Sequence, residues 1–226
     1  MTKAHMKRLS APKSWAILRK AETFITRTHP GAHTHSLSVP LALLLKQAGF
    51  AKTTKEAKKI LLRKQVLVDG RRVKDHRFSV GLMDIVSFPD IDQHFRLLID
   101  TKGRIMLKQA KDKTTKISTV IGKTILKKGK TQVNLKDGRN ILVKDSYKVG
   151  DSVVITLPSQ KITKHLKFEK GAHILLTGGK HIGHLGTIDT IAGKMITYKN
   201  KQGNVLQTLK EYAFVINKDI EGLMKQ

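Results

Sequence analysis

Residues 53–73, "TTKEAKKILLRKQVLVDGRRV", change periodicity halfway along, and that change restricts the fold more than any other feature of the chain. Thr53 followed three residues later by Glu56 makes a capping box, which predicts a helix over "TKEAKKILLRK". At about 100° per residue, Ala57, Ile60 and Leu61 share one face, while Lys55, Lys58, Lys59 and Arg63 gather opposite. Leu62 falls among the basic residues and fits less well. From Val66 the period drops to two, and a short strand runs into Asp69 and Gly70, the residues of a tight hairpin turn, and out through Arg71 and Arg72. A helix followed at once by such a hairpin presents two basic elements to one side. Upstream, Pro40 suits a first helical position and Gly49 a helix stop, so "LALLLKQA" reads as a short apolar helix.

Beyond residue 78 the pattern is that of strands. "FSVGLMDIVSF", "FRLLIDTKGRIML", "ISTVIGKTILKKGKTQVNLKDGRNILVK" and "DSVVITL" are short β-rich runs parted by Gly, Asp, Lys and Asn, with "KDGR" at 136–139 a tight hairpin. Their spacing predicts a small antiparallel barrel. A last unit repeats the same pattern, with Gly171, Gly178, Gly179, Gly183 and Gly186 crowding its first half, where the backbone is expected to turn sharply or approach something closely.

Charge decides what such a fold would meet. The chain has 44 Lys and Arg against 17 Asp and Glu, a formal net charge of +27 on 226 residues. Residues 1–40 carry +6, 41–90 another +6, and the remainder +15. Charge of that size points to a polyanion, nucleic acid first and an anionic membrane second. Its spread along the whole chain suits a protein surrounded by phosphate better than one meeting a duplex on one face. There is no cysteine, which excludes thiolate zinc sites, disulfides and cysteine nucleophiles. No apolar run reaches the ~18 residues of a membrane span, and "MTKAHMKRLSAPKSW" lacks the apolar core of a secretory signal. A cytoplasmic protein is expected.

Residues 1–37 are the least domain-like stretch, readable either as a solvated tail or as an arm that orders on RNA. Trp15, the single tryptophan, lies near Lys13, Arg19 and Lys20 and favours the second, because a large ring can pack or stack once docked. With little apolar surface of its own, the arm is expected to be mobile in the free protein.

Chemistry-bearing motifs are weak. "GGK" at 178–180 is followed by His181 rather than Ser or Thr and lacks the upstream glycine of a phosphate-binding loop. His29, His33 and His35 are close in sequence but have no thiolate or evident carboxylate support, and read as loop histidines able to hydrogen-bond RNA; no metal site is expected. Asp69, Asp75, Asp137 and Asp151 sit in turns, where carboxylates cap backbone amides, so no catalytic pair is expected.

Residues 38–88, through "SVPLALLL", "KEAKKIL", "VLVDGRRVKD" and "VGLMDIVSF", resemble the RNA-binding domain named after small-subunit ribosomal protein S four. The resemblance implies that Lys58, Lys59, Arg63, Arg71 and Arg72 face a folded ribosomal RNA backbone, and Lys55, on the same basic helix face, is expected to join them. "HMKRLSAPKSW", "PGAH", "FRLLIDTKGR" and "GGKHIGHLGTI" extend it to the archaeal and eukaryotic S four e family over nearly the whole chain. Lys7, Arg8, Lys13, Trp15, Arg19 and Lys20 of the arm are then further RNA contacts. The glycine-rich end is similar to a KOW motif, implying RNA contacts at Lys180, His181 and His184, although the two histidines depart from the expected residue types. The chain ends soon after "FVINKDIEGLMKQ", from which an archaeal form is expected.

The implied organisation is α+β, mostly β: a basic arm (1–37), a small α/β RNA-binding domain (38–90), a central barrel-like β domain (91–168) and a KOW-type barrel (169–226). The implied function is structural, a constituent of the small ribosomal subunit that binds ribosomal RNA and supports assembly and translation. Neighbouring ribosomal proteins are its other partners, with no membrane, no cofactor, no homo-oligomer and no enzymatic step. An RNA-modifying enzyme is the alternative class, since pseudouridine synthases and some tRNA synthetases carry an S four-type domain; the "GRLD" signature of the former is absent. A KOW-bearing transcription factor is a third.

Overall fold

Thr53 and Glu56 form the capping box that their spacing predicts. In a computed structural model of the chain, which describes residues 5–110, 112–126, 129–144, 146–200, 202–217 and 222, the Thr53 hydroxyl accepts the Glu56 amide at 3.2 Å. In return the Glu56 carboxylate accepts the amides of Lys52 at 2.8 Å and Thr53 at 3.4 Å. Two of the helix's orphan donors and the entering chain are thereby fixed, and the Lys52 amide, ahead of the Thr53 bonds, holds the Glu56 carboxyl below its ordinary pKa.

The chain divides into two compact units, residues 1–98 with 104–113 and residues 99–103 with 114–226. In the first, β1 (Met6–Lys7) pairs with β2 (Phe24–Ile25), and β3 (Ser38–Pro40) leads directly into α1 (Leu41–Gln47) and α2 (Thr54–Arg63). Pro40 therefore closes β3 instead of opening the helix, while Gly49 stops α1 as expected, with φ +80° just after Ala48. Strands β4 (Leu67–Val68), β5 (Arg71–Arg72), β6 (Ser79–Gly81), β7 (Ile85–Phe88), β8 (Gln93–Ile99) and β9 (Ile105–Gln109) follow. A five-stranded sheet runs in the order β5-β4-β7-β8-β9, and β6 pairs apart with β3. The β7–β8 ladder crosses residue 90, the expected boundary between the small α/β domain and the central β domain. Leu41, Leu44 and Leu45 of α1 and Ala57 and Leu61 of α2 pack with Val68, Val86 and Leu97 of the sheet in one core. On α2 the faces fall as their periodicity predicts, with Leu62 left exposed among the basic residues.

The second unit is antiparallel β. Strands β10 (Thr115–Ile125), β11 (Thr131–Leu135), β12 (Asn140–Val143), β13 (Ser152–Thr156) and β14 (Ile162–Leu166) hydrogen-bond in the order β12-β11-β10-β13-β14. Strands β15 (His173–Leu176), β16 (Leu185–Ala192), β17 (Met195–Asn200), β18 (Val205–Leu209) and β19 (Ala213–Val215) take the order β18-β17-β16-β15-β19. "KDGR" makes its hairpin between β11 and β12: Gly138 has φ +77°, and the Leu135 amide donates to Arg139 at 2.8 Å. Beneath that turn Asp137 meets the buried Lys116 at 3.0 Å, so this lysine is an internal ion-pair partner and not part of the charged surface.

From residue 5 onward the arm packs on its own protein, which corrects the expectation of a mobile tail. Trp15 is 2% exposed, its indole N–H donates to the Ser38 carbonyl at 2.7 Å, and it bridges to Ile105, the first residue of β9. Ala11 joins the same core, with Met6, Ile17 and Ile25 packed against it. The His29 amide donates to Arg77 at 2.9 Å, and the Gln47 side chain of α1 reaches the Ala16 carbonyl at 3.2 Å. The arm has little apolar surface when counted alone, but α1 and β9 supply the other half of the interface. Burial of one indole at that interface opposes the entropy of ordering the segment.

Candidate nucleic-acid interface

The hairpin that displays Arg71 and Arg72 is locked from behind. Its two-residue turn places Asp69 at φ +50° and Gly70 at φ +77°, the left-handed pair that a type I′ turn requires. The Asp69 carboxylate accepts the Ile85 amide at 2.9 Å, and the Asp69 amide donates to the Ile85 carbonyl at 2.9 Å. Arg96 lies buried nearby; burial lowers its pKa, and the negative charges of Asp112 and Asp69 oppose that shift. Arg71 and Arg72 themselves are exposed. Asp75, Asp137 and Asp151 likewise cap amides of their own turns, at Arg77 (2.8 Å), Arg139 (3.3 Å) and Lys148 (2.9 Å), the structural use expected of them.

On α2, Lys55, Lys58, Lys59 and Arg63 are all exposed. Lys58 also lines an open cleft of about 680 Å³ between the arm and the two helices. The cleft brings Lys58 together with Arg8, and adds Arg27, Lys46, Lys52 and Arg77, which the sequence did not single out. Glu22 is its one lining carboxylate, and Arg8 holds it at 2.9 Å. His76, at the same wall, has its pKa lowered by burial and then by the Lys58 charge. Lys46 is the lone charge of α1 and Lys52 directly precedes the capping box, signals that could have marked them. Nothing local marks Arg27 or Arg77, which the fold-back of the arm brings to the helices.

The remaining arm residues divide by exposure. Lys7, Lys13 and Lys20 are exposed; Arg8 and Arg19 are half-buried. Arg8 donates to the Leu18 carbonyl, and Arg19 donates to the Ala11 and Pro12 carbonyls at 2.8 and 2.9 Å, so both guanidinia serve partly as internal braces. Trp15 is removed from the RNA-contact set, because a ring buried to 2% has no face left for a base. His29, His33 and His35 have separate partners: His29 meets Asp75 at 3.2 Å, His33 meets Asp84 at 2.9 Å, and His35 pairs with the Thr28 hydroxyl at 2.9 Å. His33, its side chain 11% exposed and its ring laid on Gly81, is a clamp for the arm instead of an RNA ligand. Among the described residues no cluster of three or more His, Cys, Asp or Glu could hold a metal ion.

In the second unit Lys180 is exposed, while His181 and His184 are half-buried with ring centroids 5.5 Å apart. The close approach expected of the glycine-rich run is made to the chain itself. Gly183, at φ +78°, would place a Cβ 2.1 Å from the Asp100 carbonyl oxygen, and Gly178 would place one 2.6 Å from the Tyr212 ring. These glycines permit packing, leaving Lys180 as the clearly solvent-facing charge of the loop.

Known proteins match the chain along its length. Residues 2–36 match the RS4NT (NUC023) domain, 39–86 the S4 domain and 91–162 the Ribosomal family S4e. Small ribosomal subunit protein eS4 of Methanosphaera stadtmanae is 45% identical, covering 96% of this chain and 94% of the relative. The eS4 protein of Methanocaldococcus jannaschii is 41% identical over 99% of this chain and 97% of its own. The crystal structure of the 30S ribosomal protein S4e from Thermoplasma acidophilum superposes with a TM-score of 0.69 at 27% identity, covering 80% of this chain and 95% of that one. A mostly β chain with a basic two-helix unit, a locked Arg-Arg hairpin and full-length relatives of this kind belongs to the small ribosomal subunit protein eS4 family.

Proposed function

We propose that the protein is a structural constituent of the small ribosomal subunit that binds and braces ribosomal RNA. The observation that carries this reading is the Arg71-Arg72 hairpin, exposed at its tip and pinned by Asp69 behind, within the stretch that matches the S4 domain. Rigid presentation of two guanidinia suits a phosphate backbone of fixed shape, because less side-chain and backbone freedom is lost on docking. Lys55, Lys58, Lys59 and Arg63 extend the surface along α2, Lys7, Lys13 and Lys20 along the arm, and Lys180 with His181 and His184 forms a separate contact. The net charge of +27 supplies affinity through counterion release, with 2′-hydroxyl and shape contacts supplying placement.

The four-part organisation of arm, S4 domain, central β domain and C-terminal KOW-type barrel is part of the same proposal, supported by strand order and by glycine-dependent packing in the last sheet. The protein acts as a single copy among neighbouring ribosomal proteins in the cytoplasm and catalyses no reaction. Among the described residues no helix is long and apolar enough to cross a membrane. Cosedimentation tests the assignment: the protein should travel with small ribosomal subunits through a sucrose gradient. Recovery with RNA polymerase, or in ribosome-free fractions only, would reject it.

A further inference from the structure

The basic cleft between the arm and the helices has an apolar side that phosphate binding does not need. Phe24 of β2 lines it and is 55% exposed, in a two-residue strand whose other member, Ile25, packs toward the core. Leu18, 78% exposed, lines the same cleft. The Phe24 ring makes a T-shaped contact with the His5 ring, with centroids 5.6 Å apart and planes at 89°. The ring is thus contacted from one side and still largely exposed where it lines a cavity of about 680 Å³, within the roughly 300–1,000 Å³ typical of ligand pockets. Lys46, Lys52 and Lys58 line the same cavity and enter no ion pair among the described residues. An exposed aromatic ring sharing one cavity with several ammonium groups matches the two halves of a nucleotide, a flat base and its phosphate.

We propose that this cleft holds an unpaired nucleotide of the bound RNA, its base stacked on Phe24 and its flanking phosphates against Lys46, Lys52 and Lys58. A double helix could satisfy the lysines but not the ring, because its bases are already stacked on each other and its A-form major groove is too narrow to admit side chains. The occupant is therefore a bulged or single-stranded position. This rests on the RNA-binding reading and adds to it a site selective for strand state.

The test uses the full-length protein, a short oligouridylate and a fully paired RNA duplex of equal length at one salt concentration. Phe24→Ala and Phe24→Leu should weaken oligouridylate binding by roughly 5- to 100-fold, the range measured for loss of one base-aromatic stack, while duplex affinity stays within about twofold. Phe24→Tyr, which keeps the ring, should retain wild-type affinity. Oligouridylate carrying 5-iodouridine should photocrosslink to Phe24, located by mass spectrometry. Uridine monophosphate at millimolar concentration should fail to displace the strand; displacement would assign the cleft to free nucleotides and overturn the proposal. Equal strand affinity in wild type and Phe24→Ala, with no crosslink at Phe24, would also overturn it while leaving RNA binding intact. Failure of the wild type to bind either RNA would remove both readings together.

Discussion

The carboxylate of Asp69 accepts the backbone amide of Ile85 at 2.9 Å, fastening the Arg71-Arg72 turn to strand β7. Asp69 is buried, so its removal leaves a buried donor without its acceptor. Asp69→Ala should therefore lower folding stability by about 1–3 kcal/mol in urea denaturation. Asp69→Asn keeps an acceptor oxygen and tolerates positive φ, and should lose less. An unchanged urea midpoint for Asp69→Ala would show that the hairpin does not depend on this bond.

The arginines held by that turn should affect binding and not folding. Replacing both Arg71 and Arg72 with Ala is expected to weaken ribosomal RNA binding by about 1–3 kcal/mol in total, the scale of charge-assisted hydrogen bonds. The thermal midpoint should stay unchanged, because both side chains are exposed. A fall in thermal stability with constant RNA affinity would make the hairpin a structural element only.

Trp15 should behave as a core residue. Trp15→Ala is expected to cost about 3–5 kcal/mol, as for other buried Trp truncations, and to make the arm sensitive to trypsin at Lys13, Arg19 and Lys20. Trp15→Phe loses mainly the 2.7 Å bond to the Ser38 carbonyl and should cost about 1 kcal/mol before any cavity effect. Free wild-type protein should resist cleavage within the arm, and rapid cutting there would restore the picture of a mobile tail.

What could be read in the sequence was local. The Thr53-Glu56 box, the stop at Gly49, the turns at Asp69-Gly70 and "KDGR", and the division of α2 into apolar and basic faces each depend on residues within about one turn of each other, where spacing carries the information. The basic character of the α2 face and the hairpin was legible for the same reason. Trp15 was misread because its partner carbonyl, Ser38, and its bridge residue, Ile105, lie far along the chain. The cleft was invisible on similar grounds: Arg8 and Arg27 meet Lys46 and Lys58 only after the arm folds back on α1. The glycine-rich run announced close approach, but nothing local said that Gly183 would approach Asp100.

Stability should fall on mild acidification. Burial, followed by the charges of Arg27 for His35 and Lys58 for His76, lowers both histidine pKa values below the ordinary 6.5. A depressed histidine pKa means that the unfolded chain binds more protons, so the contribution is complete above pH 6.5 and is lost as pH falls through the folded value. The thermal midpoint should drop from pH 7.5 to pH 5.5, and the drop should shrink in His35→Gln/His76→Gln. An equal drop in that variant would place the titrating groups elsewhere.

The central claim is that exposed cations meeting ribosomal RNA phosphates supply most of the affinity, and its most direct test is the salt dependence of binding to small-subunit ribosomal RNA. If about six phosphates are neutralised, log affinity against log salt concentration should fall with a slope of about −4 or steeper, and Arg71→Ala/Arg72→Ala should make it shallower by roughly 1 to 2. A nearly flat line for the wild-type protein would contradict the account.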